Sequence, residues 1–176
     1  MNRPLSLGTR GSPLALAQAR CTAAALEDAH GWDSGSVAIV VITTTGDRVQ
    51  DRPLADIGGK ALWTKELDRA LAEGAVDLCV HSMKDVESDR PEAFRLAAML
   101  ERADVRDRLI GARSIAELPL GARIGTSSPR RTAQLKGLRP DLAIEMLRGN
   151  VETRLAKVAD GTVDATLLAA AGLDRL

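Results

Sequence analysis

Short aliphatic runs alternate along this chain with longer stretches in which apolar positions recur every three or four residues. LSLGTR at 5–10 and VAIVVITT at 37–44 read as strands, with SPLALAQARCTAAALEDA at 12–29 as the helix between them. In ALWTKELDRALAEG, 61–74, residues Ala61, Leu62, Lys65, Leu67 and Leu71 fall near helical spacing, and AVDLCVHSM, 75–83, follows as another buried strand. The second half repeats the alternation: RIGTSS leads into PRRTAQLKG, AIEMLRG into NVETRLAKVADG, and TVDATLLAAAG closes the chain. Strand, helix, strand, helix predicts an α/β fold with parallel or mixed sheets.

A weak internal echo refines this. GTRGSPLALAQ at 8–18 resembles GTSSPRRTAQ at 125–134, and AEGAVD at 72–77 resembles ADGTVD at 159–164, in the same order. In each half a strand ends at Gly-Thr, a Ser-Pro opens a helix, and a later helix stops at Gly before Val-Asp begins a strand. Common turn chemistry alone could produce such likeness; the alternative is two similar α/β lobes with a cleft between them. The division is expected at 1–100 and 101–176, with a charged linker over 101–121.

Composition narrows the chemistry. The 176 residues carry 24 basic and 24 acidic side chains, so no overall field favours nucleic acid or an anionic membrane, and anion binding must be local. Aromatic residues are only 2%, Trp32, Trp63 and Phe94, which leaves the core to Ala, Leu, Val and Ile and disfavours base stacking. Cys21 and Cys79 stand apart, without CxxC or zinc-type histidine spacing, and read as small buried apolar residues of a reducing compartment. No metal site is expected. No stretch has the length of a signal-peptide core or a membrane span, so a cytoplasmic protein is expected.

The polar residues collect where strands end. Thr9, Arg10 and Ser12 follow LSLG; Ser82, Lys84 and Asp85 follow DLCV; Thr126, Ser127, Ser128, Arg130 and Arg131 follow RIG; Arg148 follows AIEML. GTSSP before a helix offers N–H groups and hydroxyls to an anion, and two arginines in a first helical turn oppose the dipole unless something negative joins them. Surface pairing with acids is the plainer alternative. Arg148 and Arg154 flank Gly149 and Asn150 with forks suited to carboxylates, while Arg175 has a weaker case on spacing. Asp85 is the single acid among these cations, suited to hold an N–H donor or steady a developing cation, or else to cap a helix or form an ion pair. His81 is a base by type or simply a buried histidine. The glycines match neither a phosphate loop nor a dinucleotide fingerprint.

Taken together, HSMKDV, GTRGSPLALAQA, GGKALWTKELDRAL, GTSSPRR and LRGNVETRL closely resemble the porphobilinogen deaminase (hydroxymethylbilane synthase) family, from about residue 5 to the last. The resemblance implies two periplasmic-binding-protein-like lobes with mixed sheets flanked by helices. It also implies a tetrapyrrole-pathway transferase that joins four porphobilinogen molecules head to tail, releasing ammonia, to give hydroxymethylbilane. Asp85 then matches the catalytic carboxylate. Ser82, Lys84, Thr126, Ser128, Arg130 and Arg131 match residues that hold the dipyrromethane cofactor, and Arg10, Ser12, Arg148, Arg154 and Arg175 those that bind substrate and growing chain. A monomer binding porphobilinogen, with no nucleic-acid or membrane partner, is implied.

This chain departs from the family pattern at Glu87, where proline is usual, and at Trp63, where phenylalanine is usual. Neither cysteine matches the family's thioether anchor, which lies in a C-terminal third domain; that domain and the return segment of domain one are expected to be absent, and the 176 residues alone to turn over little or nothing. A two-lobed binding module for a small polycarboxylate is the alternative, and nucleic-acid binding through the arginines a more distant third.

Overall fold

The computed structural model describes residues 4–44 and 64–176, which fall into two compact units, Met1–Glu101 and Arg102–Leu176. Trp63, Ala61 and Leu62 lie outside the described residues.

In the first unit β1 (Leu5–Thr9) is flanked by β2 (Val37–Val41) and β3 (Leu78–Cys79), both parallel to it. The described strands of this sheet are all parallel, one of the two arrangements that the alternation of strands and helices allowed. The crossover from β1 to β2 is α1 (Pro13–His30), which starts at an N-cap serine and stops at Gly31 in the left-handed conformation. Ala19 and Ala23, four residues apart, are the buried positions of α1, and their small side chains let the helix settle on Leu7, Val37 and Ile39. α2 (Lys65–Ala72) buries Leu67 and precedes β3. The apolar run at 75–83 yields only a two-residue strand and then a 3-10 turn, Met83–Asp85.

In the second unit the order is β4-β7-β5-β6, formed by β4 (Asp107–Ile110), β5 (Arg123–Gly125), β6 (Ala143–Glu145) and β7 (Ala165–Ala169). β5 is parallel to both neighbours, whereas β4 is antiparallel to β7 and makes this sheet mixed. β4 lies inside the 101–121 stretch expected to be a linker; as a four-residue edge strand it needs little periodicity to be held by its neighbour. α3 (Pro129–Leu138) and α4 (Val151–Ala159) are the crossovers, and α5 (Ala170–Leu173) follows β7 directly. Ile124, Leu135, Leu142 and Ala165 form the core, so aliphatic residues carry it as composition required.

The sequence echo is a structural one. Gly74 and Gly161, with φ of 70° and 75°, follow α2 and α4. Val76 and Val163 are then each 2% exposed, and the aspartate after each accepts the N–H near the start of the neighbouring strand. Asp77 takes Ser6 N–H at 2.8 Å and Asp164 takes Arg123 N–H at 2.7 Å. A left-handed glycine, an apolar plug and a carboxylate on a free strand-start amide explain why these few residues recur.

The cysteines differ from expectation in part. Cys21 is exposed rather than buried, on the outer face of α1. Cys79 is half-buried, its Sγ 3.5 Å from the Leu67 carbonyl oxygen, and burial beside Asp68 pushes its thiol up to about 11. No helix among the described residues is long and apolar enough to cross a membrane.

Candidate functional site

In the first unit, parallel pairing brings the carboxyl ends of β1 and β3 to one sheet edge, and with them both candidate segments. Arg10, half-buried, leaves β1; Ser12 caps α1, its Oγ accepting the Ala15 N–H at 3.3 Å. From β3 come His81, Ser82, Lys84 and Asp85. Ser82 Oγ donates to Gln18 Oε1 at 3.0 Å, tying the segment to the second turn of α1. Lys84 is exposed on the 3-10 turn. Asp85 is half-buried, with its N–H on the Ser82 carbonyl at 2.9 Å and its carboxylate bonded by no described residue. His81 is held below the ordinary histidine range, first by burial, with nearby carboxylates opposing the shift; near neutral pH it is an uncharged ring.

In the second unit the carboxyl ends of β5, β6 and β7 share an edge, and because β4 runs the other way, its first residue, Asp107, lies opposite Ala169 at the end of β7. This reversal sets the electrostatics. Arg131 is clamped by Asp107 in a bidentate pair, Nε to Oδ2 at 3.0 Å and Nη2 to Oδ1 at 2.6 Å, and its Nη1 donates to the Leu167 carbonyl at 2.8 Å. Arg130, 62% exposed, touches the same carboxylate at 3.3 Å and Gln134 Oε1 at 2.8 Å. Burial raises Asp107, but the hydrogen bonds and charge of Arg131 outweigh it and leave the carboxyl below its ordinary value.

The remaining residues are less well supplied. Arg154 Nε donates to the Gly149 carbonyl at 2.9 Å, and its Nη2 lies 3.4 Å from Ser127 Oγ. Burial lowers its pKa, the charge of Arg131 lowers it further, and no acid offsets either. Arg148 carries a buried Nη1 without a hydrogen-bond partner. Thr126, 3% exposed, accepts the Ser128 N–H at 3.2 Å, and Ser128 caps α3 by accepting the Arg131 N–H at 3.4 Å. Both hydroxyls thus shape the turn. Arg175 is half-buried just beyond α5.

The structure therefore brings Ser127, Ser128, Arg131, Arg148 and Arg154 to the strand-end edge of the second unit, and Arg10, Ser12, Ser82, Lys84 and Asp85 to that of the first. Sequence reasoning missed Asp107, Gln18 and the acid-base pairs around Arg90. A glutamine in the second turn of a capped helix was a signal for Gln18; Asp107 had none, because its place depends on antiparallel pairing with a strand about 60 residues away.

Around the β5–α3 turn, one carboxylate is shared by Arg130 and Arg131, Arg154 is depressed by burial and by the charge of Arg131, and Arg148, after β6, has a buried donor left over. Such a site attracts a ligand bearing more than one negative group, most effectively carboxylates that accept bidentate forks. Fold and site together define an α/β protein whose hydroxyls and guanidiniums gather at the carboxyl ends of its strands.

Residues 5–176 match the family described as "Porphobilinogen deaminase, dipyromethane cofactor binding domain", and the chain belongs to that family. It is 63% identical over 180 residues to a porphobilinogen deaminase of Sphingopyxis alaskensis, covering 99% of this chain and 57% of the relative. It is 54% identical over 173 residues to that of Nitrobacter winogradskyi, covering 97% and 55%, and 53% identical over 175 residues to that of Paracoccus denitrificans, covering 98% and 56%. The chain thus spans little more than half the length of the curated relatives it matches.

Proposed function

We propose that this chain supplies the pyrrole-carboxylate binding groups of a porphobilinogen deaminase, a cytoplasmic, monomeric transferase of tetrapyrrole synthesis that condenses porphobilinogen head to tail with loss of ammonia. Family membership supports the reaction class. One structural observation carries the site: the buried, unpartnered Nη1 of Arg148, in the same unit as an Arg154 whose charge no acid offsets. A buried donor without an acceptor costs about 1–3 kcal/mol unless an acceptor arrives from outside.

Porphobilinogen bears acetate and propionate carboxylates, and Arg10, Ser12, Arg148, Arg154 and Arg175 are the groups we assign to them. Asp85 accepts pyrrole N–H groups and stabilises the cationic methylene-pyrrole that forms as ammonia leaves, its carboxylate being uncommitted to any described side chain. Lys84, one residue away, adds a cation without neutralising Asp85 by contact.

The donor set also fits a dipyrromethane. Arg130 and Arg131, with Ser82 and Lys84, would hold its carboxylates, while Thr126 and Ser128 set the turn. Arg131 is already immobilised by Asp107, so little side-chain freedom is lost on binding. When bound, that group supplies the pyrrole end to which the next pyrrole is joined. Asp85 and the arginines act by orienting the carboxylates and holding the N–H groups.

Calorimetric titration of the chain with porphobilinogen and, in parallel, with glutarate tests this reading against a general polycarboxylate module. Porphobilinogen is expected to bind more tightly, Arg148→Met to weaken it about tenfold, as for a lost charged hydrogen bond, and Asp85→Asn to weaken porphobilinogen but not glutarate. Equal affinities, or no porphobilinogen heat, would sink it.

A further inference from the structure

The Met83–Asp85 turn has little of its own to hold it. Asp85 N–H reaches the Ser82 carbonyl at 2.9 Å and Val86 N–H the Met83 carbonyl at 3.3 Å, Ser82 makes no side-chain cap, and Met83 is 48% exposed. Its entry is tied by Ser82 to Gln18. Its exit is tied differently.

Glu87, two residues past Asp85, accepts Thr64 Oγ1 on Oε1 at 2.6 Å and Arg90 Nη1 on Oε2 at 3.0 Å. Arg90 in turn grips Asp68 with two bonds, Nη2 to Oδ1 at 2.7 Å and Nη1 to Oδ2 at 3.0 Å, and its guanidinium lies 5.3 Å from the Phe94 ring centroid. Thr64 and Asp68 are four apart at the start of α2, so one helical face receives the whole assembly. The three charged side chains are each only 15–17% exposed, a degree of burial that makes the geometry firm rather than interchangeable with water. His81 and Cys79 face the same pairs, both uncharged at neutral pH, and leave Arg90 as the cation that the two carboxylates share.

We propose that Arg90 is a positioning residue for Asp85: by locking Glu87 to the first turn of α2 it fixes the exit of the Met83–Asp85 turn and so the direction in which the Asp85 carboxylate is presented. The proposal deepens the functional reading above and rests on it for the role of Asp85, but not for the lock itself. Glu87 is the residue by which this chain departs from the proline of the resemblance. Val86, with ψ of 138°, already holds the extended conformation that a proline would impose on its predecessor, so the ion network holds a bend that a ring could hold covalently.

Amide hydrogen exchange of the ¹⁵N-labelled chain, read by NMR, tests the lock without any ligand. In Arg90→Met, exchange at the Asp85 and Val86 amides is expected to rise about tenfold while β1 amides keep their rates, with Arg90→Lys intermediate because it keeps the charge but loses the fork. Unchanged exchange at Asp85 and Val86 in folded Arg90→Met overturns the proposal. If that variant does not fold, Glu87→Gln keeps shape and the Thr64 bond but loses the ion pair; a smaller rise at the same two amides supports the lock, and no change overturns it. Porphobilinogen titrations then ask whether Arg90 acts through Asp85: the loss caused by Arg90→Met should vanish in an Asp85→Asn background, and an equal loss in both backgrounds overturns the positioning role. Failure of the unsubstituted chain to bind porphobilinogen would count against the functional reading, while the exchange result decides on the lock.

Discussion

The β1–α1 turn of the first unit and the β5–α3 turn of the second are built on one plan and end in different chemistry. In each, a Gly-Thr closes the strand or directly follows its last residue, with the threonine buried, Thr9 at 0% and Thr126 at 3%. Each helix then opens on a capping serine followed by proline. The first turn continues with Leu14 and Ala15 and makes a packing helix. The second places Arg130 and Arg131 at the same points, and a helix start loaded with cations is tolerable only because Asp107 sits beside it. A shared backbone device thus serves as a scaffold in one unit and as a charged cradle in the other, and the distinguishing element is a carboxylate from an edge strand.

The largest expected break in that comparison is Asp107→Ala. It leaves Arg131 half-buried without its acid and beside Arg154, and should cost about 2–3 kcal/mol, at the lower end for a broken buried pair because Asp107 retains some exposure; a melting point lowered by less than a few degrees would show that the clamp is dispensable. Next come the two glycines. A Cβ on Gly125 would lie 2.6 Å from Leu147 Cδ2 and 3.0 Å from its Cβ, whereas one on Gly8 meets nothing nearer than 3.1 Å. Gly125→Ala should therefore cost about 2 kcal/mol by overpacking and Gly8→Ala about 1 or less, measured by urea denaturation; the reverse order would mean that the two turns are packed differently from this account. Smaller than the Gly125 effect, Ser12→Ala and Ser128→Ala should each lose about 1 kcal/mol as N-caps, and similar values would sharpen the equivalence of the two devices.

The smallest effect is in pH. Asp107 and Glu87 are both held below their ordinary carboxyl values, Asp107 by Arg131 against the opposing effect of burial, Glu87 by Thr64, its own N–H and Arg90 against the same opposition. Folded values below unfolded ones give stability that is complete above the unfolded carboxyl pKa, near 4, and is lost as pH falls through the folded values. Denaturation midpoints followed from pH 6 downward should fall in that acid window, and Asp107→Asn should flatten part of the slope.

Much of the architecture was legible because its causes are local. Ser12 and Ser128 announced helix starts, Gly74 and Gly161 announced stops, and apolar spacing marked the strands, since capping, left-handed turns and periodicity depend on residues within a few positions. β4 was not legible: DRLI among charged neighbours carries almost no pattern, and only β7 makes it a strand. Cys21 was misjudged because an alanine-rich helix has little contrast between its faces, so its exposed side was not readable from composition.

The candidate site divides the same way. Chain order and local chemistry alone determined that hydroxyls, Asp85 and the arginines stand at strand ends, where parallel connections gather them. Tertiary structure decided what each of those charges meets: Arg131 an acid from a reversed edge strand, Arg154 a carbonyl and a serine, Arg148 no partner for its Nη1, and Glu87 a guanidinium that is itself held by Asp68. The physical reason is range. Caps and turns are satisfied within one helical turn of sequence, whereas a long charged side chain takes whichever group the folded chain brings within about three ångströms, as Arg131 takes Asp107, 24 positions away, and Arg90 takes Asp68, 22 positions away.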